Sequence, residues 1–159
     1  MTDSDSSPAL TPTSQKLAST YGIWLELAAG RVGPRRDEIT PAQLRGTTAS
    51  TFMIDVIDGG QDFRFRFAGD RVIQFMGRRL AGTLLSELRG TLFFDAMHHL
   101  FERCMVTKAP VRSGPVQTSY PGKEFLEIET VIMPLSDDGV NINCLFGGLD
   151  SWQVGTHGS

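Results

Sequence analysis

The sequence predicts an α+β fold, in which five strands form an antiparallel sheet and short helices with one long helix lie on one face of it. Three observations predict this: a two-strand hairpin over residues 51 to 69, a long amphipathic helix over residues 91 to 108, and three further strands after Pro110. A chain of 159 residues is about one domain, long enough to bury a core without disulfides or metal ions.

The hairpin is predicted around Gly59 and Gly60, which accept the positive φ angles that tight two-residue turns require. Asp58 then pairs with Gln61, and alternation along the strands places six large apolar side chains on one face. These cross-strand pairs are Val56 with Phe63, Ile54 with Phe65, and Phe52 with Phe67.

Two arginines of the same hairpin fall on the opposite face. In the predicted register, Arg64 lies opposite Asp55 as an opposite-charge pair, and Arg66 lies opposite Met53. Arginines at such positions more often cover a sheet face than bind a ligand. We therefore expect Arg64 and Arg66 to face solvent, or a helix or protein partner laid across that face.

An amphipathic helix is predicted before the hairpin, from Ser14 to Gly30. Its apolar stripe must pack either on the chain's own sheet or on the same helix of a second copy. The stripe consists of Leu17, Tyr21, Trp24, Leu25 and Ala28. A short helix is expected next, with Thr40 as its cap, Pro41 at its first position and Gly46 past its end.

Glycines at positions 69, 77, 82 and 90 divide the segment after the hairpin into two short helical pieces. The long helix follows, and its apolar pattern directs Met97, Phe101 and Cys104 towards the sheet.

Three strands complete the pattern. A turn is predicted at Pro121 and Gly122, and a second at Asp138 and Gly139, which would pair Asp137 with Val140. Because proline cannot donate to a strand ladder, the strand with Pro115 is expected at an edge of the sheet. The second turn places apolar side chains from both of its strands on one face of the sheet. These are Val131, Met133 and Leu135, which face Ile142, Cys144 and Phe146.

Composition excludes several classes of function. The net charge of −3 provides no basic field for nucleic acid. The N-terminus lacks a secretory signal and no stretch approaches the length of a membrane span, so we expect a cytoplasmic protein without membrane insertion. Cys104 and Cys144 lack the spacing of a zinc site and are expected to be buried free thiols.

Two pairs of residues are candidates for chemistry. His98 and His99 could ligate a metal, but adjacent helix positions cannot both face one ligand, so we expect both at the surface. Glu127 and Glu129 either line a polar cleft mouth or are solvated at the rim of the sheet. An alternative function follows: a small cleft enzyme that uses Glu127 or Glu129 with a histidine as acid and base.

The order of elements, together with the run Pro34, Arg36, Glu38, Ile39 and Pro41 after Trp24, resembles a PAS domain. That run looks like the start of the small single-domain PAS proteins of alphaproteobacteria. The resemblance implies strand order 2-1-5-4-3 and a cleft between sheet and helices that either holds a ligand or is packed shut.

Composition and the resemblance together divide the chain. Residues 1–13, rich in Ser, Thr, Asp and Pro, are expected to be a disordered tail, 14–48 an N-terminal helical extension, 49–152 the PAS core and 153–159 a second tail. The resemblance also implies a function. The expected function is non-catalytic signalling through a homodimer and a signalling protein partner, with a small apolar ligand as an option and no support for haem or flavin. The cleft candidates are Phe52, Ile54, Phe65, Phe75, Met97, Phe101, Cys104, Met133, Cys144 and Phe146.

Overall fold

The computed structural model describes residues 10 to 156; residues 1–9 and 157–159, which belong to the two predicted tails, lie outside the described part. Residues 10 to 13 of the predicted disordered tail contact the domain instead, because the Leu10 amide donates to the Tyr21 hydroxyl at 3.3 Å and the Thr13 amide to Glu129 Oε2 at 2.8 Å. Five antiparallel strands form one sheet in the order β2-β1-β5-β4-β3, as predicted. The strands are β1 Thr51–Ile57, β2 Asp62–Ala68, β3 Val111–Gln117, β4 Leu126–Leu135 and β5 Cys144–Gln153. The α-helices are α1 Gln15–Ala28, α2 Asp70–Met76 and α3 Leu92–Thr107.

Helix boundaries follow local chemistry. The Ser14 hydroxyl accepts a hydrogen bond from the Leu17 amide at the start of α1, and Thr91 caps α3 in the same way. The predicted helix after Thr40 is wrong: residues 41 to 47 form consecutive turns, held by hydrogen bonds such as the one from the Leu44 amide to the Thr40 carbonyl. Propensity alone does not sustain so short a helix.

The β1–β2 hairpin has the predicted register near its turn and a different one further out. Ile57 to Ile54 pair with Asp62 to Phe65, as predicted, but the connection is a four-residue loop rather than a two-residue turn. A β-bulge then leaves Arg66 without a direct partner, so Met53 pairs with Phe67 and Phe52 with Ala68.

Because of the bulge, two predictions about this hairpin do not hold. Phe67 moves to the face opposite the other apolar side chains. Asp55 lies opposite Arg64 but forms ion pairs with Arg66, at 2.9 Å from Nε to Oδ1, and with Arg36, at 3.8 Å from Nη1 to Oδ1. Both arginines are exposed, as expected.

The β4–β5 hairpin is displaced by two residues from the predicted register. Leu135 pairs with Cys144 and Met133 with Phe146, because the connecting loop is longer than a two-residue turn. Asp138 holds this loop by accepting the backbone N–H groups of Val140 and Asn141. A shift of two preserves the face, so these apolar side chains stay together. Ile142, which was predicted on the same face, lies before the start of β5 and belongs to the cluster on the other face. The strand with Pro115, β3, lies at the edge, as predicted.

Apolar clusters cover both faces of the sheet. One cluster lies between the sheet and helices α2 and α3, and the other lies between the sheet and α1. Adjacent glycines on the central strand β5 permit close packing on both: a Cβ at Gly147 would lie 2.5 Å from the Phe52 ring, and one at Gly148 would lie 2.7 Å from the Leu17 side chain. Helix α1 therefore packs on its own sheet. We call the face under α1 the outer face and the other the helix face.

Candidate functional site

The structure divides the ten predicted cleft residues between the two faces. Seven belong to the cluster on the helix face: Phe52, Ile54, Phe65, Phe75, Met97, Phe101 and Cys104. The other three, Met133, Cys144 and Phe146, lie on the outer face under α1, so their predicted cleft position is wrong. The reason is strand alternation, since Phe146 pairs with Met53, whose side chain points away from those of Phe52 and Ile54.

The predicted interaction stripe on α1 is mostly occupied by contacts within the chain. Leu17, Tyr21, Trp24 and Ala28 are buried against the outer face, whereas 46% of Leu25 is exposed. The Trp24 indole donates to the Pro134 carbonyl at 2.8 Å, which satisfies its polar atom in the apolar interface.

Glu129 anchors the start of α1 and is fully buried. Its Oε1 accepts the Ser14 amide at 2.8 Å, and its Oε2 accepts the Thr13 amide at 2.8 Å and the Arg112 Nε at 2.7 Å. Neither predicted position for this carboxylate, cleft mouth or solvated rim, is correct. Burial is tolerated because a guanidinium and two backbone donors replace water.

A second buried carboxylate lies directly across the strand pair. Asp150 on β5 is opposite Glu129 on β4, and 3% of it is exposed. It accepts the Ser14 hydroxyl at 2.6 Å and the Arg71 guanidinium at 2.9 Å. We call Ser14, Arg71, Arg112, Glu129 and Asp150 the polar anchor. Two carboxyl groups buried this close together need these donors, so the docking of α1 and the burial of Glu129 and Asp150 depend on each other.

The sequence contained little warning of this anchor. Alternation placed Glu129 on an apolar face, which was the one available signal. Nothing distinguished Asp150 from an ordinary strand-end aspartate, and Arg112 and Arg71 lie 17 and 79 positions from their carboxylate partners.

The segment with Pro34 and Glu38 returns the chain from α1 to the sheet. Glu38 accepts the Arg35 amide and pairs with Arg31 at 3.0 Å; the Arg35 N–H and the Arg31 guanidinium hold the Glu38 pKa below its usual range. The Pro34 carbonyl accepts the Ser136 amide, which joins this segment to the end of β4. The segment from Pro34 to Glu38 thus has a structural role, because it connects the end of α1 to the end of β4.

Both cysteines are buried free thiols, as predicted, and they lie on different faces of the sheet. Cys104 packs on the helix face and Cys144 on the outer face. Burial raises the pKa of Cys104 far above its usual range and that of Cys144 to about 12. Both thiols are therefore protonated and poorly nucleophilic at neutral pH.

The histidines lie at the surface, as predicted. His98 stacks on Phe94 and lies 3.4 Å from Glu102, and His99 is exposed. Residues 10 to 156 hold no group of three or more ligands suited to a metal ion. The histidines belong to α3 on the helix face and Glu129 to the outer face, so the acid and base residues of the alternative enzyme do not converge. Glu127 instead accepts the Trp152 indole N–H at 2.8 Å.

Two grooves open beside α3. The α2–α3 groove, of about 480 Å³, lies between the end of α2, the start of α3 and the β3–β4 turn. The α3–β3 groove, of about 410 Å³, lies between α3 and the edge of the sheet. Among the seven cleft candidates on the helix face, Phe75 lines the first groove and Met97 the second. Volumes of this size suit small ligands.

Within residues 10 to 156, no helix is both long and apolar enough to cross a bilayer. A family model described as a PAS domain matches residues 12–149. No curated protein and no solved structure matches the chain significantly.

Proposed function

The chain belongs to the PAS domain family, and from this premise we propose that it is a non-catalytic sensory and regulatory module that acts through association with protein. The carrying observation is α1, one helix placed across the outer face of the sheet with its exposed side towards solvent. The finer likeness to small alphaproteobacterial PAS proteins rests on the segment from Pro34 to Pro41. Free buried thiols agree with the proposed location in the reducing cytoplasm.

We place the association surface on the exposed side of α1 and assign it to a second copy of the chain. A shallow depression of about 740 Å³ lies there, lined by Gly22, Ile23 and Leu25 with the loop at positions 45 to 47. Leu25 is an exposed large apolar side chain, and a Cβ on Gly22 would meet nothing within 4 Å. Leu25 of each copy has the size to fill the hollow over Gly22 of the other, in a two-fold arrangement. A signalling partner with an apolar helix would use the same surface.

Absence of catalysis is supported by the separation of the candidate acid and base. Glu129 is saturated by three hydrogen bonds under α1, and the histidines lie beyond the opposite face of the sheet. A general base must reach a substrate proton within hydrogen-bond distance.

Light scattering coupled to gel filtration of the full chain tests the proposal. We expect a dimer that Leu25→Glu and Gly22→Leu each convert to monomer, because one removes the apolar contact and the other fills the hollow. Val106→Glu is the matched control, since Val106 is 82% exposed on α3. A monomeric wild-type chain, or a dimer unaffected by both α1 variants, contradicts this surface.

A further inference from the structure

The α2–α3 groove combines an apolar wall with positive charge. Its lining residues are Phe75, Met76, Arg78, Leu88, Gly90, Thr91, Leu92, Phe93, Tyr120, Pro121 and Lys123. Two of these are cations and none is acidic. The α3–β3 groove differs, because Asp95 and several hydroxyl groups line it.

The two cations have no carboxylate partner within residues 10 to 156. Among the described residues, Arg78 donates to the Arg79 carbonyl at 3.2 Å and, weakly, to the Thr83 hydroxyl at 3.4 Å. The Lys123 ammonium lies 5.4 Å from the centre of the Phe75 ring. Both side chains therefore retain donors for an incoming anion.

The apolar wall is built from rings that contact each other. Phe75 and Tyr120 lie 5.6 Å apart between ring centres. Lys123 and Tyr120 are held together by the Pro121–Gly122 turn, in which the Lys123 amide donates to the Tyr120 carbonyl at 2.9 Å and Gly122 has a φ of 79°. Burial raises the pKa of the Tyr120 phenol, which stays a neutral hydrogen-bond donor at neutral pH.

We infer that the α2–α3 groove binds a small organic carboxylate, with its apolar body against Phe75, Phe93 and Tyr120 and its carboxylate between Arg78 and Lys123. A neutral apolar molecule would fill the wall but leave both cations without a partner. An apolar cation would be repelled. The inference rests on the proposed sensory function and names the ligand class that this function would detect.

Calorimetric titration of the full chain with octanoate, octan-1-ol and octylammonium tests the inference, because the three probes share one chain and differ in head group. We expect saturable octanoate binding at least about tenfold tighter than that of the alcohol, and weaker binding still of the amine. Arg78→Gln and Lys123→Gln should each weaken octanoate about tenfold and leave the alcohol unchanged. Arg79→Gln and Lys108→Gln are the matched controls, since both residues are exposed and outside the groove.

Three titration results would overturn the inference: no saturable octanoate binding up to about 1 mM, equal affinity for octanoate and the alcohol, or control variants that bind octanoate as weakly as the groove variants. Amide chemical shifts should change at Phe75 and Tyr120, and changes confined to another region would also overturn it. The titration does not depend on dimer formation. Octanoate binding by a monomeric chain would therefore separate a failed association surface from a correct ligand site.

Discussion

The two faces of the sheet are buried by different means. On the helix face, two helices and the segment between them cover an aromatic layer that includes Phe52, Phe63, Phe65 and Phe101. On the outer face, the single helix α1 covers apolar residues and a pair of buried carboxylates, Glu129 and Asp150.

The comparison shows which interactions fix the position of the helices on each face. Apolar packing is non-directional and depends on filling volume, so the helix face is held by many interchangeable contacts. Hydrogen bonds to buried charge are directional, so the polar anchor allows one position for α1. Loss of that position would leave two carboxylates with too few donors.

The largest expected effect is on the helix face. Phe65→Ala should lower the free energy of unfolding by about 3 to 5 kcal/mol, because it removes a buried ring that neighbours the rings of Phe52 and Phe93. Chemical denaturation measures the loss. Phe125→Ala, at a position 56% exposed, should change it little. Equal losses at both positions would show that this aromatic layer is not the main core.

An intermediate effect is expected at the polar anchor. Glu129→Ala should cost about 3 kcal/mol, because it leaves the Arg112 guanidinium and the Thr13 and Ser14 amides without their acceptor. The exposed Glu124→Ala in the same hairpin is the control.

The reactivity of the two cysteines in Glu129→Ala tests whether the outer face opens independently of the helix face. Alkylation at pH 8 followed by mass spectrometry should show Cys144 of Glu129→Ala reacting faster relative to Cys104 than in the wild-type chain, because α1 no longer covers the outer face. An unchanged ratio of the two rates would mean that α1 does not open independently of the core.

The smallest effect is expected at the two arginines on the outer side of β2. Arg66→Ala should cost under about 1 kcal/mol through loss of the exposed ion pair with Asp55, and Arg64→Ala should cost less, since Arg64 forms no ion pair within residues 10 to 156. Thermal melts at low and high salt measure both. A larger loss for Arg64→Ala would contradict the pairing that the β-bulge produces.

Local sequence pattern predicted most of the fold, but it did not predict which face of the sheet each apolar side chain occupies. Periodicity identified α1, α3 and all five strands, because apolar spacing is a local property of the chain. No strong local sequence signal marks the β-bulge at Arg66 or the long loop before Cys144. The predicted pairing of the β1–β2 hairpin beyond Ile54 and the predicted register of the β4–β5 hairpin were therefore wrong. Three of the ten cleft candidates fell on the opposite face for a separate reason: the pattern of each hairpin does not show which of its faces continues that of the neighbouring hairpin, and Phe146 pairs with Met53 rather than with Phe52 or Ile54.

The sequence by itself determined the order of elements, the antiparallel sheet, the burial of both cysteines and the surface position of both histidines, since each follows from spacing and composition. Only the tertiary structure decided that α1 packs on its own sheet, that Glu129 and Asp150 meet beneath its first turn, and that Arg78 and Lys123 line one groove. These contacts join residues tens of positions apart. Their energies depend on burial and on the donors nearby, which no local pattern records.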